Sequence, residues 1–360
     1  MPGNQRGFIK ILLIIPIILV ILAIAAVAVV SQTPKTYTEN LTGRKTCGRT
    51  FTPQFNDGPY YTGPFFDDHF HLPLPPVGPT QKMMGIPLPI MEKDVTVEQI
   101  LCHFDEEQTE SAVAFYTSST FPFLPDVFYH KKMVNAPVLK QQTGNRLHLF
   151  LEPQGFSASA VDAILAVNPG IFDGIGEIAL YATGGKPDDP DMMAIFKVAD
   201  KYHLPVMFHP GDNQLQNTAN AAKAFPNVKM MLHGYQTASD MVGMDGLDKL
   251  MATYPNIYFS VDSATLYAYQ GKFVTATEDE FDKMFTQDFD KNLNDEIRLW
   301  KPLMEKYPTR FSWGTDRFVG WHYSEKTSRL FEEFARAFTG RLPKDIQEKY
   351  AYQNAENLFK

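Results

Sequence analysis

Phe66-Asp67-Asp68-His69-Phe70-His71 is the stretch on which the reading of the fold turns. Two imidazoles two residues apart on a β-strand point to the same side, and here they end an apolar run. The pattern of a metal-ligating side chain just after a short apolar run returns along the chain. Glu177 lies in Gly174-Ile175-Gly176-Glu177-Ile178, His209 in Pro205-Val206-Met207-Phe208-His209-Pro210-Gly211, His233 in Met230-Met231-Leu232-His233-Gly234, and Asp316 in Phe311-Ser312-Trp313-Gly314-Thr315-Asp316. Each run reads as a buried strand. If all belong to one barrel, the six side chains converge at one of its ends.

Working outward, candidate strands cover 65–71, 111–118, 146–152, 172–178, 205–210, 228–234, 256–262 and 310–315. Helix-period segments lie near 97–110, 157–168, 190–203, 214–225, 240–253, 292–306, 324–339 and 344–359. Pro205, Pro226, Pro255 and Pro308 stand between a helix and the next strand, where helix-stopping prolines belong. Strands alternating with helices argue for a parallel sheet. Eight such units over about 250–300 residues predict an α/β (β/α)8 TIM barrel. A doubly wound open sheet is the alternative, but it does not normally place polar groups after so many different strands.

Three connections are long: 72–96, 119–144 and 263–291. In a barrel all three follow strands, on the face that carries active sites. The third holds Tyr267, Tyr269, Phe273, Phe281, Phe285 and Phe289 and is expected to form a lid or pocket wall; a packed insertion covering the barrel is the other reading.

Imidazole nitrogen and carboxylate oxygen are ligands for a divalent ion such as zinc. His69 and His71 can hold one ion. Glu177, His209, His233 and Asp316 supply more ligands than one four-coordinate ion needs, which leaves room for a second, with Glu177 as the bridge. A metal lowers the pKa of its bound water to about 7 and so provides hydroxide at neutral pH. Asp316 could take the proton of that water and pass it to the leaving group. Taken singly, each residue has a structural alternative: a turn contact for His209 and His233, an ion pair for Glu177, a helix cap or a pair with Arg317 for Asp316. Together those alternatives require coincidences at the ends of five strands. His103, His148 and His203 read as structural. His130 and His322 lie on loops of the predicted active face, and Arg317 is either a cation for a substrate carboxylate or one half of an ion pair.

The quoted motifs resemble those of the amidohydrolase superfamily, in particular its amidohydrolase-related (amidohydrolase 2) branch, with features similar to the TatD-type hydrolases. Asp67-Asp68-His69-Phe70-His71 resembles the first-strand Asp-x-His-x-His. His209 and His233 resemble the histidines of strands five and six. Gly314-Thr315-Asp316 resembles the eighth-strand Gly-(Ser/Thr)-Asp, and Asn354-Ala355-Glu356-Asn357-Leu358-Phe359 the closing Asn-Ala-x-x-Leu-Phe. The resemblance covers roughly residues 65–359. It implies metal ligation by His69, His71, His209 and Asp316, a second-ion or catalytic role for His233, and proton transfer by Asp316. Glu177 stands where related enzymes carry a bridging carboxylate or carboxylated lysine. The cofactor implied is one or two divalent ions, zinc first, with manganese, iron or nickel as other candidates. The activity expected is hydrolysis of an amide, lactone or other ester bond by metal-bound hydroxide. The alternative is non-oxidative decarboxylation.

Outside the barrel, Ile11 to Val30 is an uncharged run of the length that spans a bilayer. Residues 1–10 then form a cytoplasmic N-terminus bearing Arg6 and Lys10, 11–30 a transmembrane anchor or signal, 31–60 a tether, and 61–360 the barrel. This places the catalytic domain outside the cytoplasm, membrane-attached through its N-terminal helix. There Cys47 and Cys102 could pair, and Asn40-Leu41-Thr42 would be a glycosylation acceptor in a eukaryotic secretory host. A net charge of −8 argues against nucleic acid as a partner. The expected partner is a small-molecule substrate; homo-oligomerisation stays open.

Overall fold

The computed structural model describes residues 50–72, 82–83, 86–87, 97–117, 136–153, 157–234, 243–262, 276–317 and 320–360. Eight parallel strands form one sheet in sequence order: β1 (Phe65–His71), β2 (Thr109–Thr117), β3 (Leu147–Glu152), β4 (Gly174–Ala179), β5 (Val206–His209), β6 (Met230–Leu232), β7 (Ile257–Val261) and β8 (Phe311–Trp313). β8 returns to β1 just beyond its regular pairing. Asp316 N donates to His69 O at 2.7 Å, His71 N donates to Arg317 O at 3.3 Å, and Phe70 bridges Arg317 in parallel. The predicted (β/α)8 barrel is thus present and nearly closed.

Strand alternation sorts the apolar side chains into two cores. Phe66, Val113, Phe115, Phe150, Met207 and Met231 fill the barrel interior. Their neighbours Phe65, Ala112, Ala114, Leu149, Leu151, Val206, Phe208, Met230 and Leu232 join the larger core between sheet and helices. One step of two residues further along β5 and β6, the inward register arrives at His209 and His233. Two of the register irregularities lie at the site. The β1–β2 register shifts between Asp67 and Phe70, and the β4–β5 register shifts between Ile175 and Ile178. Such bulges re-aim side chains at barrel rims; these two stand immediately around His69 and Glu177.

The helices are α1 (Val97–Glu107), α2 (Ala136–Gln142), α3 (Ala158–Val167), α4 (Leu180–Thr183), α5 (Pro190–Tyr202), α6 (Leu215–Ala224), α7 (Gly243–Thr253), α8 (Glu278–Gln287), α9 (Phe289–Lys306), α10 (Glu325–Gly340) and α11 (Lys344–Glu348). Of the third long connection, the described part is α8 and the start of α9, with Phe281, Phe285 and Phe289 buried against Phe331 and Phe334 of α10, while Tyr267, Tyr269 and Phe273 lie outside the described residues. The three described aromatics are packed insertion, not pocket wall. A capping box starts α8, with the Thr277 side chain accepting from Glu280 N and Glu280 reaching back to Thr277 N.

Residues 50–60, counted in the expected tether, dock on α10: Gln54 N and Phe55 N donate to Glu333 Oε1 at 2.7 and 2.8 Å, and Tyr60 Oη donates to the same atom at 2.9 Å. The anchor reading of 11–30, the sequon and Cys47 lie outside the described residues, as does His130. No helix among the described residues is long and apolar enough to cross a membrane. Cys102, buried on α1, is disulfide-bonded. His103 and His322 are buried, the first against Ser328 Oγ at 3.2 Å and the second beside the Trp321 and Phe331 rings.

The end opposite the mouth is sealed by the last residues of the chain. Phe359 stacks on His148 with centroids 4.2 Å apart and lies 5.9 Å from Phe66, while Ala355 and Leu358 join the barrel interior. Phe359→Ala should therefore lower the unfolding free energy by about 2–3 kcal/mol in urea titration, somewhat below the cost for a fully buried phenylalanine. Burial also holds the His148 imidazole below its ordinary pKa, against the pull of Asp173. Its contribution to stability is intact above about pH 6.5 and declines as pH falls below that value, where the unfolded chain takes up the proton first.

Candidate metal centre

All six sequence-predicted ligands meet at the mouth of the barrel. His69 Nε2 lies 3.2 Å from His71 Nε2 and 3.2 Å from Asp316 Oδ1. His71 Nε2 lies 3.1 Å from the same Asp316 oxygen. Glu177 Oε2 stands 3.7 Å from His69 Nε2 and 3.4 Å from His71 Nε2. A tetrahedral zinc ion with bonds of about 2.0–2.1 Å holds its ligand atoms about 3.3–3.4 Å apart. The observed spacings therefore fit one ion among these four side chains.

The other oxygen of Glu177 faces a different pair of imidazoles. Oε1 is 2.9 Å from His233 Nε2 and 3.8 Å from His209 Nδ1. His209 Nε2 is buried without a hydrogen-bond partner. Three overlapping groups able to hold an ion result: His69, His71 and Glu177; Glu177, His209 and His233; and His69, His233, Asp262 and Asp316.

Asp262, directly after β7, is the site residue that the sequence reading passed over. Its Oδ2 lies 2.9 Å from His69 Nδ1 and 3.3 Å from His233 Nδ1, and it is fully buried. A carboxylate at these distances favours the proton on Nδ1 of each ring, which leaves Nε2 as the ligating atom. The available signal was its place at the end of a predicted strand, as for the other five positions. Tyr181 on α4 was also passed over; its ring packs on His209 with centroids 4.3 Å apart.

Charge decides the character of the site. Burial opposes protonation of His69 and His71. Even so, Asp316, Asp262 and Glu177 raise His69 well above the ordinary imidazole range, and Asp316 and Glu177 raise His71 to about 9. Burial alone would raise Glu177, but His233, His69 and His71 hold it well below the usual carboxylate range. Asp262 is likewise held low by His233 and His69 against its burial. His209 goes the other way: burial and the neighbouring His233 push it down to about 3, so it stays a neutral ligand. The carboxylates demand positive charge at the Nε2 atoms, and a divalent ion supplies it more compactly than protons on two facing imidazoles.

Two carboxylates and two small residues hold this arrangement. Asp67 accepts from Thr315 N at 2.9 Å, Thr315 Oγ1 at 2.6 Å and His69 N at 3.1 Å. Asp68 accepts from Ser260 Oγ at 2.5 Å and from Ser312 Oγ. Gly314 leaves space for these contacts: a Cβ there would sit 2.6 Å from Asp68 Oδ1 and 2.7 Å from His69 Cβ. A Cβ on Gly234, which has φ +92°, would strike the His209 ring. Asp316 adopts φ +48°, a region that aspartate tolerates better than most residues. Arg317 turns away from the mouth and pairs with buried Glu107, so it is an ion-pair residue and not a substrate cation.

The amidohydrolase 2 family model, described as amidohydrolase, matches residues 155–360, more than half of the chain. The chain belongs to the amidohydrolase family. It is accordingly a metal-dependent enzyme of that superfamily. Among solved structures, the chain is similar to a probable 2-pyrone-4,6-dicarboxylic acid hydrolase from Acinetobacter baumannii with citric acid bound, at 14% identity and a TM-score of 0.52 over 82% of this chain and 98% of that one. It is also similar to an amidohydrolase from Burkholderia multivorans with bound zinc, at 11% identity and a TM-score of 0.50 over 82% and 99%. At these identities what is shared is the fold. No curated protein matches the sequence.

Gly314→Ala tests the packing under the site. The added methyl meets Asp68 and His69, so the variant should lose about 1–3 kcal/mol of stability in chemical denaturation. It should also bind less zinc by elemental analysis than the parent protein.

Proposed function

We propose that the protein is a zinc-type hydrolase that cleaves an amide, lactone or other ester bond with two divalent ions, one among His69, His71 and Asp316 and one at His209 and His233, with Glu177 shared between them. The observation that carries this reading is the division of Glu177: each of its oxygens faces its own pair of imidazoles. Buried Glu177, Asp262 and Asp316 bring more negative charge than one divalent ion offsets, which favours a second. Zinc suits imidazole and carboxylate donors, and a fold neighbour carries it.

Ions held there lower the pKa of water to about 7 and provide a nucleophile at neutral pH. The protein's own groups do the rest. Asp262 stands beside the Nδ1 atoms of His69 and His233 and favours the tautomer that turns Nε2 to the ions. Asp316 stands at the same point as the His69 and His71 nitrogens and is placed to take a proton from the attacking water. As the water oxygen bonds to the acyl carbon and the carbon–nitrogen or carbon–oxygen bond breaks, that proton passes from Asp316 to the leaving atom. His233 serves as ligand and, through Glu177, keeps the bridge in place. Decarboxylation would instead need a proton delivered to the carbon that loses carbon dioxide, and no attacking water. Release of acid instead of carbon dioxide from a substrate panel is the expected result.

We also place the catalytic domain outside the cytoplasm, anchored by residues 11–30. The uncharged run supports the anchor. The disulfide at Cys102, with Cys47 the only other cysteine in the chain, supports an oxidising compartment.

Elemental analysis of the purified protein should give two metal equivalents. His69→Ala should lose metal and turnover together while the far-ultraviolet circular dichroism persists. Asp316→Asn should lower kcat by about 10²–10⁴-fold. A protein without metal, which gains no activity when zinc is added, would rule the reading out.

A further inference from the structure

We propose that the Tyr181 hydroxyl is a further catalytic group, donating a hydrogen bond to the substrate oxygen that becomes anionic when water adds to the acyl carbon. The proposal rests on the hydrolase reading above and assigns a part of the reaction that the six ligands do not cover. Tyr181 lies on α4, which starts directly beyond β4, four residues from Glu177. Its ring packs on the His209 imidazole at 4.3 Å with the planes tilted by 48°. The ring is therefore fixed against one of the ligands, on the mouth side of the barrel.

Its hydroxyl contrasts with those of five other described tyrosines, whose partners are fixed. Tyr60 donates to Glu333, Tyr202 to Asp162, Tyr307 to Asp248, Tyr323 to Arg317 O and Tyr350 to Val261 O. Tyr181 makes no hydrogen bond among the described residues, although it is half-buried. A half-buried phenol normally finds a partner. One that lies beside the reacting centre without one has its donor available to a ligand.

The chemistry needs such a donor. The neighbouring carboxylates Glu177, Asp262 and Asp316 only accept hydrogen bonds when ionised, and the four imidazoles are committed to ligation and to Asp262. Gln214, the nearby amide, is already used: it donates to Gly185 O at 2.8 Å and accepts from Gly211 N at 3.0 Å. When the water oxygen forms its bond to the acyl carbon, the carbonyl π pair moves onto the carbonyl oxygen. Tyr181 keeps its proton and shares it with that oxygen. As the leaving group departs with the proton that water gave to Asp316, the pair returns to the carbon–oxygen bond and the hydrogen bond weakens. A preorganised donor of this kind acts on the transition state more than on the bound substrate.

The test compares the zinc-loaded parent protein with Tyr181→Phe, which keeps the ring on His209 and removes only the hydroxyl. Elemental analysis should give equal metal content in both. Methylphosphonate, a tetrahedral anion, should bind the variant about ten- to hundredfold more weakly by calorimetry, the size expected for one hydrogen bond to a charged group. Equal affinity in the two proteins would overturn the assignment, as would a zinc-loaded parent that binds no methylphosphonate. A variant that loses metal would mean that the hydroxyl supports ligation instead, which also overturns it. A parent protein that holds no metal at all would instead bring down the hydrolase reading itself.

Discussion

The geometry of the mouth depends on the side chains of Asp67 and Asp68, which tie β1 to the far end of the chain. Asp67 holds Thr315 by both its backbone N–H and its hydroxyl; Asp68 holds Ser260 of β7 and Ser312 of β8. These bonds close the barrel where its regular strand pairing ends, and they set the distance from His69 and His71 to Asp262 and Asp316. Both carboxyls are buried, and burial outweighs their hydrogen bonds, raising Asp67 to about 6 and Asp68 to about 7. Such groups favour the folded state most when protonated, below the unfolded aspartate value near 4, and that contribution is lost as pH rises through 6–7. They hold the site's shape at a cost in stability at neutral pH.

On that frame the centre is a problem in charge balance. Three carboxylates and four imidazoles sit together with little access to water. Without cations the field draws protons onto His69 and His71. With cations, the same field holds the ions, and Asp262 selects which nitrogen of each ring meets them. The two oxygens of Glu177 face different pairs of imidazoles and so connect the two halves of the cluster. Tyr181 adds a neutral donor to a rim otherwise made of acceptors.

Much of this was legible in the residues. The eight strands fall where apolar runs end in polar groups, because a parallel strand buried on both sides must be apolar until it reaches the mouth. All six candidate ligands came from that one rule. Asp262 obeys it too, but Val261-Asp262 carries no histidine or glycine beside it to draw notice. Other features were obscured by composition. The aromatic content of 263–291 suggested a pocket wall, yet Phe281 and Phe285 recur at helical spacing after the Thr277–Glu280 capping pair and bury against α10. Arg317 stands next to Asp316 in sequence but one position off in register, and so faces Glu107 on α1.

Fold class, strand order and the types of candidate ligand follow from hydrophobic period and residue chemistry, both local properties of the chain. The aim of the side chains is settled by contacts between strands. The register shifts before His69 and around Glu177 turn those residues inward, and a bulge is a relation between two strands that neither strand encodes alone. The same holds for the pairing of Glu177 with two sets of imidazoles and for the place of Tyr181 against His209. Each depends on distances between residues far apart in the chain, which are set only when the barrel closes.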